Sequence, residues 1–211
     1  MCSIAPFSIG ICAEASQIPR IRSILAQRRN RIRDLYARSS ALERFGMEVN
    51  MIRLLTDSML KFLTAQPAAF ANMEGSEKYP DIRGLVTFYP FENGTVVLAD
   101  ICGLPQGEEP CEIGFFGFHI HEGAACTGSA EDPFSGAGGH YNPASCPHPA
   151  HAGDMPVLEA AGGKAWMAFY TERFQPQEVR GRTVILHSMP DDYRSQPAGD
   201  AGERIACGVI R

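Results

Sequence analysis

The sequence predicts an all-β domain, a sandwich or barrel, over residues 66–211, behind a helical extension over residues 1–65. Three observations carry this. Eight short strand-like runs follow residue 66, many joined by hairpin-sized turns. No helical period recurs among them, which favours stacked or closed sheets over alternating strand and helix layers. The 21 glycines and 15 prolines in 211 residues supply the turns that many short strands need.

The extension comes first. Between residues 18 and about 65, Ile21, Ile24, Leu25, Ile32, Leu35 and Tyr36 fall near helical spacing with arginines between them, and no glycine follows until Gly46. A basic amphipathic helix of this kind suits a membrane surface, a transit peptide or a loosely attached extension, and the last is favoured. Met47, Met51 or Met59 is an alternative start. The opening "MCSIAPFSIGICAEA" has a short apolar run and a small-residue ending but no basic n-region, which weakens a signal-peptide reading.

The strand-like runs are "AAFANMEG", "DIRGLVTFYP", "GTVVLADICGLP", "EIGFFGFHIHEG", "MPVLEA", "KAWMAFYTERF", "RTVILHS" and "RIACGVI". The second and third are separated by "ENG", the fifth and sixth by "AGG", both hairpin signals. Two long connections, residues 122–154 and 188–202, are rich in Gly, Pro, Ala and Asp. Long irregular loops in a compact domain are commonly functional, and the first holds three of the six histidines.

Charge narrows the classes of function. Residues 1–58 hold nine Arg against five acids; residues 59–211 hold ten Lys or Arg against nineteen acids. An acidic body argues against general nucleic-acid binding. No run of about 18 apolar residues offers a membrane span. Seven cysteines are an odd number, so at least one is free or pairs between chains. Cys102 and Cys111 flank a turn, where a bond and two free thiols are both open readings, and Cys146 is extra.

All six histidines lie between His119 and His187. In "GFHIHEG", His119 and His121 are two apart, so on a strand they share one face and can hold one metal. His187 ends another strand. His140, His148, His151 and Asp154 follow on a loop that can wrap. Imidazole and carboxylate suit zinc; several imidazoles in a flattened arrangement suit copper. An H-x-H pair also occurs in cupins, which expect a glutamate where Ala124, Ala125 and Cys126 stand, and in (β/α)8 hydrolases, which need more chain and alternating helices.

With "GFHIHEG", "GGHYNP", "HAGDMP", "GRTVILH" followed by "DD", and "GERIACGVI" in that order, residues 66–210 resemble the copper/zinc superoxide dismutase family, bacterial type. The resemblance implies an eight-stranded antiparallel Greek-key barrel. It implies a redox copper on His119, His121, His140 and His187, bridged by His140 to a zinc that His148, His151 and Asp154 complete. His140 and Arg204 become the catalytic residues, the arginine lying beside the copper. Asp191 becomes the carboxylate linking ligands of the two metals, and Cys126 and Cys207 an intrasubunit disulfide. The implied substrate is the superoxide anion, and the implied activity its dismutation to dioxygen and hydrogen peroxide. The alternative is a non-catalytic copper/zinc-binding barrel for metal binding or storage. A copper donor protein and a homodimer are compatible partners. The compartment stays open between bacterial cytoplasm and export: the disulfide favours export, yet no convincing signal precedes the domain. No segment of the extension can be matched to the family, and lysine-based steering is in doubt because Arg194 is the one base in the loop after His187.

Overall fold

The computed structural model describes residues 66–106 and 114–211. The helical extension expected over residues 1–65 lies outside the described residues. Among those described, nine strands form: β1 (Ala69–Gly75), β2 (Arg83–Phe91), β3 (Gly94–Cys102), β4 (Gly114–Phe116), β5 (Phe118–His121), β6 (Leu158–Ala160), β7 (Lys164–Thr171), β8 (Thr183–His187) and β9 (Arg204–Val209). All pairings are antiparallel, and the main sheet runs β5-β8-β9-β1-β2-β3-β7. β4 pairs with β6 in a second, two-stranded sheet. The architecture is an antiparallel β half-barrel.

The hairpins follow the turn chemistry. β2 and β3 pair up to Phe91 opposite Gly94, so Glu92 and Asn93 make the two-residue turn. β6 and β7 are joined through Ala161 opposite Lys164, with Gly162 and Gly163 between them at positive φ, as a two-residue hairpin loop requires. Alternation then sorts the faces. On β1, Ala69, Ala71 and Met73 are buried while Phe70, Asn72 and Glu74 are exposed. Phe88, Val97, Ile101, Phe118, Ile120, Leu158, Val184 and Ile205 build one apolar core with them.

One expectation needs correcting. The run "EIGFFGFHIHEG" is not a single strand. It breaks at Gly117, whose N–H donates to the Met189 carbonyl and whose carbonyl accepts from the His187 N–H. The chain changes sheet there: β4 joins β6, and β5 joins β8. Eight expected runs thus become nine strands. No helix among the described residues is long and apolar enough to cross a membrane.

Candidate metal centre

β5 is buried along its whole length, Phe118 to His121. β8 flanks it on one side, and the loop 122–154 flanks it on the other. There the Tyr141 N–H donates to the Ile120 carbonyl at 2.8 Å, the Ile120 N–H donates to the Gly153 carbonyl at 2.9 Å, and Gly153 N–H donates to Tyr141 at 2.8 Å. A Cβ on Gly153 would collide with the Ile120 carbonyl, so only glycine lets the loop lie this close. These bonds set His140 across from His121 and Asp154 across from His119. His187 arrives from β8 at a register shift, opposite Arg204. Such an irregularity re-aims a side chain.

The result is two groups of ligand atoms. His119, His121, His140 and His187 form one; His140, His148, His151 and Asp154 form the other. Within each, the ligand atoms lie within 4.8 Å of one another, and all seven residues are buried. His140 belongs to both.

Hydrogen bonds fix the rings. His119 and His148 direct Nε2 at opposite oxygens of Asp191, at 2.7 and 3.0 Å. A carboxylate accepts, so both rings carry their hydrogen on Nε2 and leave a lone pair on Nδ1. His121 Nδ1 donates to the Gly138 carbonyl at 2.9 Å and His187 Nδ1 to Gly202 at 3.3 Å, which leaves both Nε2 lone pairs free. Those two Nε2 atoms face each other at 3.4 Å. Two lone pairs cannot bond, so the separation reads as two ligands converging on one point.

Whether the donors fit metals can be tested on orphaned atoms. His119 Nδ1, His140 Nε2 and His148 Nδ1 are buried without any hydrogen-bond partner, a costly state in a protein interior. His148 Nδ1 lies 3.0 Å from Asp154 Oδ2 yet makes no hydrogen bond to it. An imidazole lone pair and a carboxylate both accept, so the two atoms sit close without bonding each other. In the second group, His140 Nδ1 lies 2.7 Å and His151 Nδ1 3.3 Å from Asp154 Oδ1, and the two imidazole nitrogens are 3.4 Å apart. The edge of a tetrahedron around zinc with bonds of ~2.0–2.1 Å is about 3.3 Å. Three imidazoles and one carboxylate at these spacings fit zinc. Four imidazoles fit copper.

Burial also sets protonation. It holds His119 below the usual imidazole range despite the opposing Asp191, pushes His121 well below it, and brings His187 down to about 3. These rings stay neutral, as ligands must. Burial alone would raise the Asp191 carboxyl, but contacts from His119, the Tyr193 N–H and His148 overcome it and hold it at about 2. Asp154 is likewise lifted by burial and drawn lower still by His140 and the His151 N–H.

Arg204 is half-buried and donates to the carbonyls of Phe134 at 2.7 Å and Gly138 at 2.8 Å. Cys126 and Cys207 form a disulfide across a sequence separation of 81. Cys146 is a free thiol. Cys102 is disulfide-bonded, which sets aside the reading of Cys102 as a free thiol. The sequence pattern did not reveal the ring-orienting carbonyls of Gly138 and Gly202. It also missed Tyr193, whose N–H reaches Asp191 at 2.7 Å and whose hydroxyl accepts from the Val157 N–H at 2.8 Å. The one signal available was the glycine density around them.

Comparison with known proteins agrees with this geometry. Residues 82–210 match the family model described as copper/zinc superoxide dismutase (SODC). The chain is 34% identical over 148 residues to a superoxide dismutase [Cu-Zn] of Deinococcus radiodurans, covering 62% of this chain and 78% of that one. It is 33% identical over 181 residues to superoxide dismutase [Cu-Zn] 2 of Aquifex aeolicus, covering 79% and 97%. That share exceeds residues 66–211, so the second alignment reaches into the extension. The solved Cu/Zn superoxide dismutase from Brucella abortus superposes with a TM-score of 0.58 at 28% identity, over 68% of this chain and 99% of that one. With more than half of the chain matched, and with His140 shared between two buried ligand groups, the chain belongs to the copper/zinc superoxide dismutase family.

Proposed function

We propose that the protein converts two superoxide anions and two protons into dioxygen and hydrogen peroxide. Copper would be held by His119, His121, His140 and His187, and zinc by His140, His148, His151 and Asp154. The half-barrel then corresponds to the family's eight-stranded Greek-key barrel, with β4 and β5 as one strand interrupted at Gly117. The observation that carries the reading is His140: Nδ1 faces the Asp154 group while Nε2 is buried and without a hydrogen-bond partner.

When bound, copper supplies the one-electron redox change that dismutation needs, and zinc supplies a fixed positive charge. The rest falls to the chain. His140 Nε2 is the buried nitrogen that holds and passes a proton toward nascent peroxide. Asp191 keeps His119 and His148 in the tautomer that aims Nδ1 inward. Arg204 contributes positive charge that draws the anion into an otherwise acidic body, since local field can exceed net charge in a cleft. Between the rival of a non-catalytic metal-binding barrel and this enzyme, the retained four-imidazole group with Arg204 favours the enzyme. The Cys126–Cys207 bond favours export to an oxidising compartment.

The test is metal content and dismutation measured together. One copper and one zinc per chain with turnover is expected, and His119→Ala or His187→Ala should remove copper and activity while leaving the fold. Stoichiometric metal uptake without turnover would make the protein a metal-binding barrel. Full activity in a copper-free preparation would overturn the copper assignment.

A further inference from the structure

The loop that carries His148, His151 and Asp154 has no regular secondary structure. Its shape is nevertheless gripped from two sides by side chains that bond its backbone. From the end of β7, Arg173 Nη1 donates to three carbonyls of this loop: Pro149 at 3.0 Å, Asp154 at 3.1 Å and His151 at 3.2 Å. The acceptors outnumber the hydrogens on that nitrogen, so the bonds are shared. Two of the three carbonyls belong to ligand residues. The base of this arm is packed into the core. Phe174, next in the chain, is buried edge-on against Phe88, and its carbonyl accepts from the buried Thr95 hydroxyl at 2.8 Å.

From the loop 188–202, Gln196 holds the backbone of His148 with both ends of its amide. Its Nε2 donates to the His148 carbonyl at 2.6 Å, and its Oε1 accepts from the His148 N–H at 3.0 Å. Gln196 is itself presented by a capped turn. Asp192 Oδ1 accepts from the N–H groups of Arg194 and Ser195, both at 2.8 Å, and the Gly199 N–H donates to the Ser195 carbonyl at 2.8 Å.

We propose that Arg173 and Gln196 are positioning residues for the His140, His148, His151 and Asp154 group, holding its loop in the ligating shape before metal arrives. This rests on the zinc reading above. The physical ground is preorganisation. A loop free to rearrange must be ordered at the moment of binding, and that cost is removed when backbone contacts have already fixed it. Retention of zinc then depends on two residues outside the ligand group. Arg173 does this against its own charge, because a guanidinium near a divalent cation is repelled; what it contributes is the three carbonyl contacts.

The experiment uses the full chain loaded with zinc and follows zinc release to a chromophoric chelator, beside thermal unfolding of the metal-stripped protein. Arg173→Gln and Gln196→Ala are each expected to release zinc ~10–100-fold faster, the range typical for residues that orient ligands. The Tm of the metal-stripped protein should match the parent. Arg173→Lys, which keeps donors on a point charge, should fall between parent and Arg173→Gln. Release at the parent's rate in both Arg173→Gln and Gln196→Ala would overturn the inference. So would faster release accompanied by a matching loss of Tm without metal, since that is general destabilisation. A parent chain that takes up no zinc would overturn the zinc assignment itself, an outcome visible before any variant is made.

Discussion

His121 and Arg204 share one acceptor: the Gly138 carbonyl takes a hydrogen bond from His121 Nδ1 at 2.9 Å and from Arg204 Nη2 at 2.8 Å. The arginine and a ring of the four-imidazole group are thus registered through a single backbone oxygen. Gly138 holds a positive φ of 70° with ψ −152°, a conformation that residues with a Cβ avoid. The charge of Arg204 is thereby fixed in relation to the centre through the carbonyls of Phe134 and Gly138.

Arg204→Ala should therefore slow dismutation while leaving metal content intact, because His121 keeps its own bond to Gly138. At about 6 Å, attraction between unit charges is ~0.7 kcal/mol in water and ~2.8 at an effective dielectric of about 20, a factor of roughly three to a hundred in rate. Arg204→Lys should lose less and Arg204→Glu more. Added salt should slow the parent more than Arg204→Ala. Equal rates for the three variants would remove any steering role.

Asp191→Ala should weaken both metals at once, since one carboxylate orients His119 in one group and His148 in the other. A loss of ~10–100-fold in affinity or activity is expected. Chelator competition for copper and zinc separately provides the measurement. A variant with only one affinity changed would show that the two groups are not coupled through this residue.

The metal-stripped protein should lose stability as pH falls below about 6.5. In the fold His187 titrates at about 3 instead of 6.5, so between those values the unfolded chain binds a proton that the folded chain refuses. His119 and His121 are shifted the same way. Asp191 is held at about 2 instead of 3.8, and its stabilisation, full above 3.8, is lost as pH falls through 2. Each fully refused proton adds a slope of ~1.4 kcal/mol per pH unit. Chemical unfolding of the stripped protein at stepped pH values measures the slope. A midpoint that is flat or rises toward acid would contradict the buried neutral histidines.

Cys126→Ser should destabilise the fold. The bond spans a separation of 81 residues, for which the chain-entropy relation gives ~4.5 kcal/mol as an upper value. The cost should appear in the denaturant midpoint of the metal-stripped protein, and Cys207→Ser should match it. Peptide mapping that finds both thiols free in fully active protein would refute the pairing.

The candidate ligands were visible in the primary structure because two local rules expose them. A strand repeats its facing every second residue, so "HIH" places His119 and His121 on one side wherever the strand lies. The confinement of every histidine to residues 119–187 did the rest. Hairpins were equally plain, since Gly162 and Gly163 have few other uses between two strand-like runs.

Other features depended on how the chain closes on itself. Periodicity over "GFFGFHIH" looks continuous, but the change of sheet at Gly117 is decided by Met189 and His187, which belong to a distant loop and strand. The ring orientations rest on partners 17, 15 and 72 residues away: Gly138 for His121, Gly202 for His187 and Asp191 for His119. Arg173 and Gln196 reach the ligand loop across 24 and 48 residues. Most of these contacts end on backbone carbonyls or amides. Every residue carries a carbonyl, so residue identity gives no sign of which one will face an imidazole or a guanidinium. Side-chain type and spacing could nominate the ligands, because metal chemistry is selective for imidazole and carboxylate. Only the tertiary fold could select the carbonyls that orient them, because that choice is made by proximity alone.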